Sequence, residues 1–308
     1  MVSVLLFPGQ GAQKVGMGKD LAEAFPAARD TFLALDEALS FPLSRTMWEG
    51  PVEELQRTHV TQPAILAHSA AVLAVAGSRL PPVAGAAGHS LGEYSAYVAA
   101  GTLSAVDAAK LVRRRGELMQ EAGGRRPGTM AAVLGLATGL VERACAEASG
   151  EREAVVPANL NAPDQTVISG DVTAVERAGK ACTALGAKRV VALKVSGAFH
   201  SPLMAPAAPG LAAALAQTSF APPAFPVVAN ASAAPVRDPG QARGLLEAQL
   251  TAPVRWVESI QALATLAPGA RFIEIGPGTV LGGLLKRILP EPEYLSLGTV
   301  QELEKFLA

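Results

Sequence analysis

The chain has 308 residues, of which half are hydrophobic, 17% are charged and 5% are aromatic. This length suffices for one large domain, or for a large domain carrying a smaller one, with an interior built mainly from aliphatic side chains. The formal net charge of -1 argues against nucleic acid or an anionic membrane as a partner, because both require a basic surface.

The sequence predicts neither export nor membrane insertion. The residues before Pro8 form a short apolar run without a charged leader, and no later run approaches the roughly 18 apolar residues of a membrane span. The two cysteines, Cys145 and Cys182, fall in predicted helices without the spacing of a metal or redox motif, so we expect buried thiols and no metal. A cytoplasmic location is therefore expected.

The first 121 residues predict alternating strands and helices. An apolar run at residues 2–7 ends at Pro8 and Gly9 and is typical of a buried strand, and residues 83–88 form a second such run. Apolar positions at three- and four-residue spacing predict helices at 26–39, 51–57, 61–77, 92–100 and 105–121.

A run of helix breakers at residues 123–128 then predicts a domain boundary. The following pattern has the β-α-β-β-α-β order of a ferredoxin-like module. Its strands are expected at 129–136, 154–160, 165–169 and 188–195, and its helices at 138–149 and 172–185. We expect residues 125–196 to form this inserted subdomain.

The larger α/β pattern resumes after residue 196. Helices are expected near 203–217, 240–250 and 254–266, and strands at 226–230 and 271–275. Parallel strands that alternate with helices predict a sheet covered on both faces. Residues 1–124 and 197–308 are therefore expected to form one large domain, with the functional cleft near its junctions with the insertion.

Residues 88–92, Gly-His-Ser-Leu-Gly, match the G-x-S-x-G turn that presents a nucleophilic serine between a strand and a helix. The turn is too tight for side chains beside Ser90, which explains the glycines. Ser90 would lie at a helix N-terminus, where free N–H groups such as that of Leu91 favour an oxyanion. A chance match is the alternative, although the flanking elements favour function. Glu93 is explained by the helix dipole alone and is assigned a structural role.

Three of the four histidines are poor candidates for the base that Ser90 requires. His89 neighbours Ser90 at the end of a strand and should point to the opposite face. His68 lies in an apolar helical run and is expected to be a satisfied core histidine. His59 precedes a predicted helix and shows no special feature.

His200 is the preferred base. It lies among small residues at 196–202, directly after the predicted insertion, and a surface-loop histidine is the alternative interpretation. No aspartate or glutamate stands out as a third catalytic member. A backbone carbonyl can orient the imidazole instead, because only an acceptor for its other N–H is needed.

Arg115 differs from its neighbours Arg113 and Arg114, which face polar residues and are expected to be solvated. It is flanked at helical spacing by four apolar residues, which place its guanidinium on the inward face: Leu111, Val112, Leu118 and Met119. A buried charge needs a partner, and the guanidinium fork is shaped to bind a carboxylate. That carboxylate belongs either to the protein or to the acyl group of a substrate.

The chain resembles malonyl-CoA:acyl carrier protein transacylases of fatty acid synthesis and, more distantly, polyketide acyltransferase domains. The resemblance spans essentially the whole chain and is carried by seven groups of residues: 7–11, 61–63, 88–94, Arg115-Gly116 with Met119-Gln120, 159–170, 197–202, and Gln249 with Pro253. It implies an α/β-hydrolase-like large domain with a ferredoxin-like insertion.

The resemblance also implies individual roles. Ser90 would be the nucleophile and His200 its base, the backbone N–H groups of Gln10 and Leu91 would form the oxyanion hole, and Arg115 would bind the malonyl carboxylate. The main-chain carbonyl of Gln249 would orient His200. The pocket would be lined by Gln62, Met119 and Phe199, and a phenylalanine directly before the active histidine accompanies malonyl in this family.

The activity implied is transfer of malonyl from malonyl-CoA to the phosphopantetheine thiol of acyl carrier protein, with no cofactor, by a monomer. The alternatives are a trans-acting polyketide acyltransferase, a serine thioesterase or hydrolase, and a non-catalytic scaffold that keeps the fold. Four basic residues are expected to hold the carrier or the CoA phosphates: Lys188, Arg189, Lys286 and Arg287.

Overall fold

The computed structural model describes residues 2–308, which fold into an α/β structure with two separate sheets. The ten strands are β1 (Ser3–Phe7), β2 (Val83–Gly88), β3 (Gly128–Leu134), β4 (Val155–Ala162), β5 (Gln165–Asp171), β6 (Arg189–Ala192), β7 (Val227–Val228), β8 (Pro235–Val236), β9 (Arg271–Ile275) and β10 (Tyr294–Leu297).

Fourteen α-helices surround these strands within residues 2–308. They are α1 (Lys19–Ala24), α2 (Pro26–Leu39), α3 (Leu43–Glu49), α4 (Val52–Leu55), α5 (Thr58–Ala76), α6 (Gly92–Ala99), α7 (Ala105–Arg125), α8 (Thr138–Ala148), α9 (Val172–Ala184), α10 (Ala208–Ala216), α11 (Pro239–Ala248), α12 (Trp256–Leu266), α13 (Val280–Ile288) and α14 (Val300–Leu307). Two 3-10 helices span Gly77–Arg79 and Pro202–Ala207.

The larger sheet has the strand order β10-β9-β1-β2-β7-β8, and all its neighbouring strands are parallel except the edge pair of β7 and β8. Alternate residues of β1 enter different cores: Leu5 and Phe7 pack on one face, and Val4 and Leu6 on the other. The sheet is therefore covered on both faces, as the alternation of strands and helices predicts.

Parallel strands end at the same edge of a sheet, so the segments that follow β1, β2 and β7 lie close together. These segments carry Gln10, Ser90 and Asn230. The topology thus brings together residues that lie far apart in the sequence.

The smaller sheet is antiparallel, with the order β4-β5-β3-β6, and helices α8 and α9 pack with it around a third core. Its elements follow the β-α-β-β-α-β order predicted from the sequence. Strand β4 also touches the larger unit, because the Leu160 N–H donates to the Val254 carbonyl oxygen at 2.9 Å. Both predicted thiols, Cys145 and Cys182, are buried in this third core.

Helix α5 begins one turn earlier than the predicted start at residue 61. The N–H groups of Val60 and Thr61 both donate to the Arg57 carbonyl oxygen at 2.8 Å, which closes an additional turn ahead of Pro63. Within residues 2–308, this helix is long and apolar enough to cross a membrane, but most of it is buried inside the protein. It is therefore a core helix.

Two further expectations about elements need correction, and some elements were missed. Helix α7 continues through Gly123 and Gly124 to Arg125 instead of ending at the breaker run. The helix expected at 203–217 begins as a 3-10 helix, since Pro206 and Pro209 lack the N–H groups that α-helical bonds require. Several short elements were not predicted at all: α1, α3, β8, α13, β10 and α14.

Candidate active site

Ser90 lies in the turn between β2 and α6 with φ of 53°, in the left-handed region that non-glycine residues rarely adopt. Both flanking glycines are required by close backbone contacts. A Cβ on Gly88 would lie 1.9 Å from the backbone of Gly92, and a Cβ on Gly92 would lie 2.3 Å from the Phe7 carbonyl oxygen. The turn can therefore form only with glycine on both sides of the serine.

Asn230 holds this strained turn through three hydrogen bonds. Its Oδ1 accepts the Ser90 N–H at 2.7 Å and its Nδ2 donates to the Gly88 carbonyl oxygen at 2.8 Å, while its own N–H donates to Glu93 at 2.9 Å. The residue is fully buried. Asn230 thus fixes the Ser90 backbone from the end of the neighbouring strand β7.

His200 lies within hydrogen-bond distance of the serine hydroxyl, with 2.7 Å between Ser90 Oγ and His200 Nε2. The Nδ1 atom lies 2.9 Å from the Gln249 carbonyl oxygen and 3.2 Å from that of Ala252. Because carbonyl oxygens only accept, Nδ1 carries the proton in the neutral ring and Nε2 is free to accept the Ser90 proton.

The electrostatic surroundings keep His200 neutral. Burial, followed by the positive charge of Arg115, lowers the pKa of His200 from 6.5 to about 3. A neutral imidazole at physiological pH can act as a general base. The main-chain carbonyl oxygen of Gln249 thus takes the place of the carboxylate in a Ser-His-Asp arrangement.

Arg115 reaches the same hydroxyl from helix α7. Its NH2 group donates to Ser90 Oγ at 3.1 Å and to Gln249 Oε1 at 2.9 Å, and its NH1 group donates to Gln62 Oε1 at 2.7 Å. The side chain is 1% exposed, and these three partners are uncharged. Within residues 2–308, no protein carboxylate forms a hydrogen bond with Arg115, so of the two carboxylate sources considered above the substrate is the one left.

The predicted oxyanion donors face the same pocket. Gln10 and Leu91 line it together with Ser90. Their backbone N–H groups have no hydrogen-bond acceptor within the described part of the chain, so both are available to a ligand oxygen. Leu91 directly precedes helix α6, whose N-terminal end favours negative charge.

The pocket walls contain the remaining predicted residues. Gln62, Met119 and Phe199 line it, and the Gln62 amide is held between Arg115 and the Met119 sulfur, to which its Nε2 donates at 3.4 Å. The opposite wall comes from the smaller sheet and the segment after it: Met130, Asn159, Leu193 and Val195. The site therefore lies between the two sheets, where the sequence places the cleft.

The other histidines take no part in the Ser90 hydrogen bond. His89 lines the pocket, but its Nε2 lies 2.8 Å from Asn161 Oδ1. His68 is buried as expected, but its Nδ1 has no hydrogen-bond partner within residues 2–308, so the ring is not fully satisfied. His59 lies inside helix α5, where its Nδ1 meets Gln120 Oε1 at 2.8 Å.

Two expectations about charged residues also need correction. Arg113 was expected to be solvated but is half-buried, because its guanidinium stacks on the Phe41 ring at 4.7 Å from the centroid. Glu93 does more than complement a helix dipole: it is fully buried, and its Oε2 accepts from Asn230 and from Gln249 Nε2 at 2.7 Å. Burial raises the pKa of Glu93 to about 7.

Asn230 and the Glu93 network escaped sequence reasoning because their contacts span about half the chain. Asn230 lies in a short segment after β7 with no motif of its own. One signal was present for Glu93, since it is the only charged residue in the run from 90 to 106 that follows the nucleophile turn.

A serine with a neutral histidine base, two free N–H groups and a buried guanidinium defines a site for nucleophilic acyl transfer. Comparison with known proteins agrees with this class. Residues 4–303 match the family described as "Acyl transferase domain".

The curated relatives make the assignment more specific. A malonyl CoA-acyl carrier protein transacylase of Salmonella typhimurium is 44% identical over 308 residues, covering 96% of this chain and 98% of the relative. One from Bacillus subtilis is 46% identical over 301 residues, covering 97% and 94% respectively. The chain belongs to the malonyl CoA-acyl carrier protein transacylase family.

Solved structures give the same result. An acyl carrier protein S-malonyltransferase from Vibrio cholerae superposes with a TM-score of 0.93 at 43% identity, covering 98% of both chains. A malonyl-transacylase solved in complex with a type II PKS acyl-carrier protein superposes with a TM-score of 0.94 at 42% identity, covering 100% of this chain and 99% of the other.

Proposed function

We propose that this protein transfers a malonyl group from malonyl-CoA to acyl carrier protein for fatty acid synthesis, through a malonyl ester on Ser90. The main observation in support of a malonyl group is the position of Arg115. Within the described residues its buried guanidinium donates hydrogen bonds only to neutral groups, and it lies 3.1 Å from the hydroxyl that would receive the acyl group. A carboxylate at the far end of a short acyl chain would complete this site.

The first half-reaction begins with the thioester carbonyl beside Ser90. The Ser90 hydroxyl gives its proton to His200 Nε2 as Oγ attacks the carbonyl carbon, and the N–H groups of Gln10 and Leu91 bind the resulting oxyanion. When the intermediate collapses, the carbon–sulfur bond breaks and the leaving thiolate of CoA takes the proton from His200. Malonyl-Ser90 remains.

The second half-reaction runs the same steps in reverse order with a different thiol. The phosphopantetheine thiol of the carrier gives its proton to His200 and attacks the ester carbonyl. Collapse breaks the bond to Ser90 Oγ, which recovers the proton from His200. Malonyl now resides on the carrier, and Ser90 and His200 have returned to their starting states.

The proposed function is accompanied by a proposed division of the chain into domains. We propose that residues 1–124 and 197–308 form an α/β-hydrolase-like domain and that residues 125–196 form a ferredoxin-like insertion. The support is the β-α-β-β-α-β order of the smaller unit and its β4-β5-β3-β6 strand order. A monomeric state and a cytoplasmic location remain predictions from the sequence.

Three of the four basic residues predicted to hold the carrier or the CoA phosphates remain available for that role. Lys188, Arg189 and Lys286 are exposed, whereas Arg287 forms an ion pair with Asp164. We propose the first three as the phosphate or carrier contacts. The KM for the carrier should rise with ionic strength, and a KM that is insensitive to salt would contradict this assignment.

Transfer is distinguished from hydrolysis by following radiolabelled malonyl-CoA with and without holo carrier. The proposal predicts label on the carrier and only slow release of free malonate when the carrier is omitted. Release of malonate at the same rate with and without the carrier would identify a thioesterase and overturn the proposal.

A further inference from the structure

Glu93 is a buried carboxylate directly beneath the nucleophile turn, and only one of its two oxygens is used. Its Oε2 accepts hydrogen bonds from the Asn230 N–H and from Gln249 Nε2, whereas its Oε1 is buried with no partner within residues 2–308. Complementing a helix dipole requires only an acid near the surface, so it does not account for this burial.

The Gln249 side chain connects Glu93 to Arg115. Its Nε2 donates to Glu93 Oε2 at 2.7 Å and to the Ser90 carbonyl oxygen at 3.0 Å, and its Oε1 accepts from Arg115 NH2 at 2.9 Å. The side chains of Glu93, Gln249 and Arg115 are buried, so water cannot easily replace a missing partner among them.

An amide group has nearly the same shape after rotation by half a turn, so its orientation must be fixed by its partners. In the rotated form the Gln249 NH2 group would face the Arg115 guanidinium, donor against donor, and its oxygen would face Glu93 Oε2. The ionised carboxylate of Glu93 only accepts, as does the Ser90 carbonyl oxygen, and together they select the orientation in which the Gln249 oxygen faces Arg115.

We propose that Glu93 is a positioning residue for acyl-group selection: through Gln249 it fixes the Arg115 guanidinium beside Ser90, where Arg115 selects acyl groups that carry a carboxylate. This inference rests on the role proposed above for Arg115. Gln249 has two separate roles in this arrangement. Its main-chain carbonyl orients His200, whereas its side chain connects Glu93 to Arg115. We therefore expect Glu93 to affect selectivity through the Gln249 side chain.

Two substitutions at Glu93 separate its hydrogen bonds from its charge. Glu93→Leu removes both acceptors. Glu93→Gln can place its amide oxygen at the Oε2 position, where both bonds are made, and its NH2 group at the position of the unpartnered Oε1. If the hydrogen bonds of Glu93 position Arg115, selectivity for malonyl should be lost in Glu93→Leu and retained in Glu93→Gln.

The readout is the ratio of kcat/KM for malonyl-CoA to that for acetyl-CoA, normalised to the fraction of active Ser90. We expect Glu93→Leu to lower this ratio about 10-fold or more, mainly through the malonyl KM, because a misplaced guanidinium weakens a charge-assisted contact. Glu93→Gln should keep the ratio within about 3-fold of the unsubstituted protein. A merely structural role would lower both substrates equally and leave the ratio unchanged.

The same ratio in an Arg115→Ala background distinguishes failure of this inference from failure of the proposed function. If Arg115→Ala lowers the ratio, adding Glu93→Leu should lower it no further. If Arg115→Ala lowers the ratio and Glu93→Leu alone does not, Glu93 has no positioning role. A loss of the ratio in Glu93→Gln as large as in Glu93→Leu would overturn the hydrogen-bond relay. An unchanged ratio in Arg115→Ala would overturn the role of Arg115 itself.

Discussion

At the scale of single residues, burial of the Arg115 side chain carries a large desolvation cost. A fully buried guanidinium loses most of its hydration, and neutral hydrogen-bond partners compensate for only part of that cost. Gln62, Ser90 and Gln249 nevertheless hold it in place. The unliganded site therefore holds a positive charge in position to bind an anionic group of a substrate.

Replacing this guanidinium should change selectivity more than it changes chemistry. For Arg115→Ala we expect the preference for malonyl-CoA over acetyl-CoA to fall at least about 30-fold, since loss of a buried charged partner costs about 2–5 kcal/mol. Steady-state kinetics with both thioesters measures the ratio. Arg114→Ala, on the exposed face of the same helix, is the matched control and should leave the ratio unchanged. Equal losses with both substrates in Arg115→Ala would contradict carboxylate binding.

Sequence patterns could identify residues that belong to local motifs or helix faces. The nucleophile turn and the apolar flanks of Arg115 are such local signals, and His200 followed by elimination among four histidines. Glu93 and Asn230 could not be found in this way. They are joined by a hydrogen bond across 137 positions, which depends on strands β2 and β7 being neighbours in the sheet.

At the scale of elements, the turn between β2 and α6 depends on space more than on hydrogen bonds. Gly92 lies against the last residue of β1, and an added Cβ would also come within 2.8 Å of the Pro8 carbonyl oxygen. Backbone atoms cannot move aside as a flexible side chain can. The helix N-terminus and the strand end can therefore approach this closely only at glycine.

Gly92→Ala is accordingly expected to lower stability by about 1–3 kcal/mol and to reduce activity, because Ser90 must shift with the helix. Thermal unfolding and turnover of malonyl-CoA measure the two effects. In α8, Gly139→Ala is the control, as its added Cβ would meet nothing within 4 Å. That control should raise stability by about 0.5–1 kcal/mol. Unchanged stability and turnover in Gly92→Ala would show that the turn tolerates a side chain.

Element types were mostly predictable, whereas several ends were not. Helix α7 passes through the two glycines that predicted a break because tertiary packing uses one of them: a Cβ on Gly123 would lie 2.5 Å from the Ser196 carbonyl oxygen. The glycine there permits close approach and does not end the helix. The short elements α1, α3 and β8 carried too few residues to produce a periodic signal.

At the scale of the whole molecule, burial keeps histidines neutral in the folded state and makes stability depend on pH. Burial lowers the pKa of His68 from 6.5 to about 4, and the unfolded chain returns it to its ordinary value. Between these values the unfolded state binds more protons. The contribution of His68 to stability is therefore complete above pH 6.5 and declines as the pH falls towards 4.

The variant His68→Met isolates this effect from the other titrating groups. We expect the stability difference between the unsubstituted protein and the variant to be constant above pH 6.5. As the pH falls towards 4, the unsubstituted protein should lose up to about 3 kcal/mol of unfolding free energy relative to the variant, because His68 is protonated more readily in the unfolded state. Urea unfolding at several pH values measures this difference. A difference that stays constant from pH 7 to 4 would mean that His68 titrates alike in both states.

The proposed mechanism passes through one covalent intermediate, a malonyl ester on Ser90. Its most direct test is intact-mass spectrometry of the protein quenched in acid shortly after mixing with malonyl-CoA, without carrier. We predict a mass increase of one malonyl group, located on the peptide that contains Ser90, absent from Ser90→Ala and removed by adding holo carrier. An unmodified protein that still transfers malonyl to the carrier, or an adduct on another residue, would contradict the mechanism.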